Sequence, residues 1–415
     1  MGPIKLYFDI RDIIRAPRLA LSGKKIILML CGTLAGYIIY WVFTAVSFSL
    51  CGVSINEMWN EYGLYPCLPG FVDSPPWYAC TVFYLGTALL FISISLASTA
   101  VSRVTIKQLK GDEFFSSSDS AKYVKKHWTA VVMAPVSIAL IITVFILFAG
   151  IFAVFGKIPY VGEFLFALPY LFYFFGSLFT VYTGIVLFTS LIYTPAIVAA
   201  GEEDTMGTVF QSYSITWSQP WRVLLYNGVL LSFMVLSLHI FRWFMKASFS
   251  LINGVFGCDW LMGDKLNRIV AYAYESVFPT FINTLCGCIC CASNCIKSIC
   301  STCLTYIPFD NGSDLTGTET VSALFLSVFL FIIILSVVSY GLSILTVGET
   351  LMYVIFKKKS DNDNLIERRD EDELDEEEDL DLSDDDESST DDPANQMKND
   401  ASDQDTNSSP EKSSE

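Results

Sequence analysis

Two histidines, His127 and His239, are all that the 415 residues contain. This scarcity removes most arrangements in which imidazole serves as general base or metal ligand. Recognisable catalytic signatures are missing as well. There is no P-loop, no GxGxxG, no GxSxG and no HExxH. Ionisable residues are nearly absent from the long apolar runs, where a proton-coupled transporter or an intramembrane hydrolase would need them. His239, in the fifth run, and Glu349, near the end of the sixth, stand out as intramembrane polar candidates. His239 reads as a residue hydrogen-bonded within a helical bundle, and Glu349 as one reaching toward the interface. The sequence therefore predicts a non-enzymatic protein with no cofactor, no resident metal and no nucleic-acid partner.

Positive charge is also missing from specific places. Residues 51–76 hold no Lys or Arg, and residues 156–163 hold only Lys157. Basic residues gather elsewhere: Lys5 to Lys25, Arg103 to Lys126, and Lys357 to Lys359. By the positive-inside rule both termini are expected in the cytoplasm. The loop beginning at Gly201 is weak support, since Arg222 faces Glu202, Glu203 and Asp204. No cleavable signal peptide is expected, since the start is charged and amphipathic and the following apolar run is too long. Leu6 also breaks the myristoylation pattern. The expected location is the plasma or inner membrane, with the lipid bilayer as the first partner.

What is present is apolar surface. The chain is 53% hydrophobic and 14% aromatic, with mean hydropathy +0.47, which indicates a multi-pass membrane protein. Six runs reach the roughly 20 residues a crossing requires. They are Ile26–Leu50, Trp77–Val101, Ala130–Phe155, Phe164–Ala200, Val223–Phe244 and Val321–Phe356. Pro169 and Pro195 are expected to break the fourth near its ends. The predicted fold is an all-α integral membrane protein with six transmembrane helices, interfacial amphipathic helices and a disordered C-terminal tail. Its parts are an N-terminal amphipathic segment (1–25), a five-span region (26–244), a Cys-rich outer loop (245–320), the sixth span with its basic stop (321–359) and the tail (360–415).

Before each odd-numbered span the sequence repeats a theme. In GEEDTMGTVFQSYSITW, the residues Met206, Val209, Phe210, Tyr213 and Trp217 follow helical spacing and share a face. Thr208, Gln211, Ser212 and Thr216 lie mainly opposite, and Asp204 or Thr205 suits the N-cap. In GDEFFSSSDSAKYVKKHW, Asp119 can cap, and Ala121, Val124 and Trp128 share a face. At the N-terminus Leu6, Ile10, Ile13 and Ile14 form a stripe. The plan reads as three copies of amphipathic helix, span, span, with Trp128, Trp217 and Trp221 as interfacial anchors. Such helices either anchor the rim of a bundle or sense lipid and recruit partners.

The stretch IVAAGEEDTMGTVFQSYSITWSQPWRVLLYN resembles a loop of poorly characterised prokaryotic six-helix membrane proteins. These are similar to the membrane domain of some glycerophosphodiester phosphodiesterases. The resemblance rests on the Gly201–Glu202 turn, Ser212, and Trp217, Trp221 and Arg222 leading into the next span. It covers about the first 245 residues. It implies helical architecture and no activity, because the catalytic barrel of those enzymes is missing.

Seven of the 12 cysteines cluster in CGCICCASNCIKSICSTC. Cys286, Cys288, Cys290, Cys291, Cys295, Cys300 and Cys303, together with Cys258, are candidates for disulfides on an oxidising side. Metal binding and lipidated or unpaired thiols are the alternatives, and connectivity cannot be read from the sequence. Ahead of them, Leu266, Ile269, Val270, Ala273, Val277 and Phe281 line one face of a predicted helix. From Ser360 onward lie 24 of the 43 acidic residues and 4 of the 26 basic ones. That tail is too polar to fold alone. It reads as a solvated appendage or as an arm for a protein partner. Oligomeric state is not encoded in any motif. Two functions stay open: a membrane scaffold or accessory protein, and a transporter or channel for a small neutral or apolar solute.

Overall fold

Within hydrocarbon a chain satisfies its own backbone only as a helix or a closed barrel, and every apolar run of this sequence takes the first course. The computed structural model describes residues 6–62, 64, 66–69, 75–258, 260–274, 277 and 316–368. The chain divides into a unit of residues 1–367 and a second of residues 368–415, of which only Arg368 is described. The cysteine cluster 286–303 and the acidic tail beyond residue 368 therefore lie outside the described residues, whereas Leu365, expected in a disordered tail, is buried against the bundle.

Among the described residues, six helices are long and apolar enough to cross a membrane. They are Gly23–Leu50, Trp77–Lys110, Ser117–Phe155, Tyr170–Gly201, Pro220–Phe256 and Gly317–Asp361, here the first to sixth spans. Shorter helices are Ile10–Ile13, Ala16–Ala20, Ile55–Tyr62, Val161–Ala167 and Thr205–Ser218. Residues 264–274 add one more before the sixth span. The protein is an all-helical, multi-pass membrane protein, with no strand among the described residues.

Several helices outrun their predicted bounds, for local reasons. The second continues to Lys110 and stops at Gly111, whose φ of +104° is the left-handed turn that glycine allows. The third starts at Ser117, because the Ser116 hydroxyl accepts the Ser118 N–H at 3.0 Å and caps it. Asp119, the expected cap, instead pairs with Lys122 at 3.0 Å. The segment expected as a separate amphipathic helix is thus the first turns of a continuous span. The fourth begins directly after Pro169, as expected, but Pro195 sits inside an unbroken helix. Residues 193–201 are all buried, and packing there holds the helix across the lost hydrogen bond.

The N-terminal segment forms two short helices rather than one. It is docked into the bundle. Ile13, Ala16 and Ala20 are buried. The buried carboxylate of Asp12 accepts the Tyr7 N–H at 2.8 Å and pairs with Arg15 at 3.5 Å. Asp9 pairs with Lys359 at 3.0 Å. The Lys25 ammonium donates to Gln108 at 2.8 Å and to the Leu19 carbonyl at 3.0 Å. The three segments read as one repeated theme therefore fold in three different ways, and only Thr205–Ser218 is a free-standing helix of the expected size.

Packing is concentrated at the end where these basic residues lie. In the second span Ala97–Lys107 is buried on every side, as befits the central helix of a bundle. The same is true of residues 350–356 in the sixth span. Toward the opposite end the third span (residues 144–155) and the fourth (residues 170–175) are largely exposed. Small residues let the helices approach at the packed seams. A methyl on Gly32 would overlap the Ala97 side chain, and one on Gly348 would overlap Leu230. Hydroxyls join neighbouring spans: Thr33 to Ser339 at 3.0 Å, Thr350 to Ser102 at 2.9 Å, Ser120 to the Ala100 carbonyl at 2.7 Å, and Ser93 to the Gly32 carbonyl at 2.8 Å. The helix over residues 264–274 buries Ile269, Val270 and Ala273, the face that its spacing predicts. Ala273 and Val277 pack on Leu330, Phe331 and Ile334 of the sixth span.

Gly32→Val should overpack the seam of the first two spans and cost about 1–3 kcal/mol. Gly228→Ala, where a methyl meets nothing within 4 Å, should leave stability unchanged or slightly higher. Thermal unfolding of the detergent-purified protein compares the two. Equal melting temperatures would refute the close-packed seam.

Candidate functional site

The fourth span ends at Gly201, and its last carbonyls have no partner within their own helix. The next residue, Glu202, takes φ +55° and ψ +31°. This left-handed position usually belongs to glycine, and a side chain there costs about 1–2 kcal/mol. The conformation turns the Glu202 carboxylate back into the bundle, where Arg103 of the second span meets it. Arg103 Nη1 donates to Glu202 Oε1 at 2.7 Å and to the Ala199 carbonyl at 3.2 Å. The two side chains are 1% and 5% exposed, so the ion pair is essentially dry. The guanidinium also lies 4.2 Å from the ring centre of Tyr123 in the third span, a cation–π contact. The Tyr123 hydroxyl donates to the Val198 carbonyl at 2.7 Å. One guanidinium thus ties three spans together. The sixth joins through Tyr353, whose hydroxyl would be 2.7 Å from any Cβ placed on Gly201.

The helix Thr205–Ser218 starts immediately beyond. Asp204 caps it, accepting the Gly207 N–H at 2.7 Å. Its orientation differs from the pattern read in the sequence. Thr208, Val209, Ser212, Ile215 and Thr216 are buried, while Met206, Phe210 and Trp217 are exposed. The hydroxyls of Thr208, Ser212 and Thr216 each donate to the carbonyl one turn back, at 2.7–2.9 Å. Their polarity is thereby satisfied within the helix, and the small side chains can pack against other helices. Trp221, at the start of the fifth span, and Trp128 are also exposed. Gln219 donates to the Phe356 carbonyl at 3.2 Å and links this corner to the sixth span.

A second polar group lies deeper. Tyr193 of the fourth span is fully buried. Its hydroxyl accepts from Asn227 of the fifth span at 2.7 Å and lies 3.5 Å from the Met352 sulfur of the sixth. The Glu349 carboxylate interacts electrostatically with Tyr193. Glu349 precedes Lys357 by two helical turns, or about 12 Å, which is inside the roughly 15 Å half-thickness of a bilayer core. Among the described residues it has no cation beside it. Charge at that depth is costly and commonly functional.

His239 is the other intramembrane residue singled out by the sequence, but it stands on the exposed face of the fifth span. Its Nδ1 lies 2.8 Å from the Val235 carbonyl of its own helix, so its hydrogen bond is made within the span. Among the described residues, Cys31, Cys51, Cys67, Cys80 and Cys258 form no disulfide with one another. The Cys258 thiol donates to the Gly254 carbonyl at 3.2 Å, and its expected disulfide partners, Cys286 to Cys303, lie outside the described residues. No three His, Cys, Asp or Glu side chains converge on a metal site among the described residues. Arg103, Tyr193 and Asn227 were not singled out by the sequence reading. Arg103 looked like one more basic residue beyond the second span. The run Ser98-Thr99-Ala100-Val101-Ser102 just before it was the available signal, since small residues mark a helix that continues within a bundle.

Chemically, the Arg103 site is a clamp. Its carboxylate is held by the guanidinium. Arg103→Met or Glu202→Gln alone should each cost about 3–5 kcal/mol, because either leaves a buried group uncompensated. The double variant should cost clearly less than the two combined. Denaturant unfolding in mixed micelles measures the cycle, and simple additivity would rule out the clamp.

In comparison with known proteins, the chain matches no family model, no curated protein and no solved structure.

Proposed function

We propose that this is a non-enzymatic membrane scaffold or accessory protein, with both termini in the cytoplasm. The observation that carries the reading is the use of the spans' polar groups. Arg103, Glu202, Tyr123, Thr33, Ser339, Ser102 and Thr350 are engaged in bonds between helices, which favours a rigid platform over a polar conduit. Around the basic end the platform presents exposed apolar side chains. Phe114, at 92% exposure, is the most prominent, and Phe210, Trp217 and Trp221 accompany it. These suit contact with headgroups or with the apolar face of a partner. In this reading the acid-rich sequence after Ser360 serves as the arm for a basic protein partner.

A transporter of a small neutral or apolar solute is the second reading. Glu349 with Tyr193 and Asn227 is what favours it, since three spans bring polar groups together at membrane depth.

Purified protein in liposomes separates the two. The scaffold reading expects no conductance and no solute-driven swelling above empty vesicles. Swelling that Glu349→Gln abolishes would replace it with the transport reading. For orientation, a cysteine placed at Phe114 in a background lacking the native thiols should react with an impermeant maleimide only after cells are permeabilised. Labelling of intact cells would reverse the assigned topology.

A further inference from the structure

The exposed halves of the third and fourth spans flank a half-open apolar cavity of about 840 Å3, within the roughly 300–1,000 Å3 range of ligand pockets. Phe145, Phe148 and Phe152 of the third span face Phe172, Tyr173 and Gly176 of the fourth across it. At its outer end Phe166 of the short helix Val161–Ala167 stacks on Tyr173 with centroids 5.9 Å apart. Tyr173 in turn meets Phe152 at 5.6 Å. Toward the basic end the same two spans close together, with Ala134, Ile138 and Val186 fully buried in one cluster with Val209. The cavity is thus bounded above and below, and its flank lies along the apolar exposed faces of the two spans. The Thr180 hydroxyl at its wall already donates to the Gly176 carbonyl at 2.8 Å.

We propose that this cavity holds a hydrocarbon chain of a zwitterionic membrane phospholipid, entering sideways from the bilayer. Apolar walls give water too few partners to occupy the space, and an empty space would forfeit dispersion contacts along its whole lining. A flexible chain from the surrounding lipid supplies them. Charge at the outer end suits the headgroup. Lys157, one turn beyond the cavity-lining Ala153, is exposed and is the sole Lys or Arg between Lys126 and Arg222. Glu163, in the first turn of the short helix, adds one negative charge. A cation and an anion at one end match a phosphate and an amine. The proposal rests on the membrane-spanning fold and not on the scaffold reading, so the two stand or fall separately.

The glycines provide the test. A side chain added at Gly176 points into open space, and so does one at Gly184, which does not line the cavity. Gly176→Phe should fill the cavity, while Gly184→Phe tests any general cost of a phenylalanine on that span. Each protein is reconstituted in nanodiscs of zwitterionic phospholipid, extracted into detergent, delipidated and weighed by native mass spectrometry. Wild type and Gly184→Phe should retain one phospholipid, with retention falling roughly tenfold or more in Gly176→Phe. Repeating the reconstitution in purely anionic phospholipid should lower wild-type retention. Equal retention by wild type and Gly176→Phe, or none by wild type, would overturn the proposal. So would a dimer that Gly176→Phe dissolves, since the occupant would then be a second copy of the chain. Unchanged melting of both variants confirms that they are folded.

Discussion

A guanidinium placed inside a helical bundle cannot be left without acceptors, and the basic end of this protein is organised by that requirement at Arg103. Desolvating the charge costs several kcal/mol unless it is matched by a counter-charge and good hydrogen bonds. Glu202 supplies the counter-charge, and to do so its backbone adopts a left-handed conformation at the end of the fourth span. The Ala199 carbonyl takes a second hydrogen bond, which also relieves an unpaired helix end. Tyr123 covers the cation with its ring. Consequences spread outward from that contact. The fourth span must stop where Glu202 turns, so the helix capped by Asp204 can begin only there. Gly201 must remain small, because Tyr353 of the sixth span stands against it.

The same end illustrates how packing changes its chemistry beside a membrane. In water an amphipathic helix buries its apolar stripe. Here Thr205–Ser218 buries the small residues Thr208, Ser212 and Thr216 and leaves Phe210 and Trp217 outside. Lipid is as apolar as leucine, so large hydrophobic side chains gain little by moving inward. Small ones gain close contact, provided that their hydroxyls are satisfied locally. Gly32, Gly348 and the hydroxyl pairs between spans follow the same logic. Close packing fades toward the opposite end, where the third and fourth spans carry large, exposed aromatic residues. The apolar cavity lies in that region.

Six spans, their apolar character and the buried face of the helix before the sixth were legible because each depends on local periodicity and length. The Asp204 cap was legible for the same reason. Thr316 and Glu319 also form a readable capping box at the start of the sixth span, with Arg268 pairing to the same glutamate at 3.2 Å. Other features depended on neighbours. Pro195 has the chemistry of a helix breaker, yet surrounding helices hold its helix intact. His239 lies in the middle of a span, but the rotation of that span turns it outward. Arg103 has the same local signature as the other basic residues that follow it in the sequence.

The sequence by itself determined that the chain is helical, how many times it can cross a bilayer and where its charge is concentrated. These properties follow from residue type and from spacing along one helix. Tertiary structure alone decided which face of each helix is inside, which charge is buried, and which spans line a cavity. Those outcomes arise between helices that are distant in sequence, as Arg103 and Glu202 are, where contact geometry and desolvation govern and local pattern carries no information.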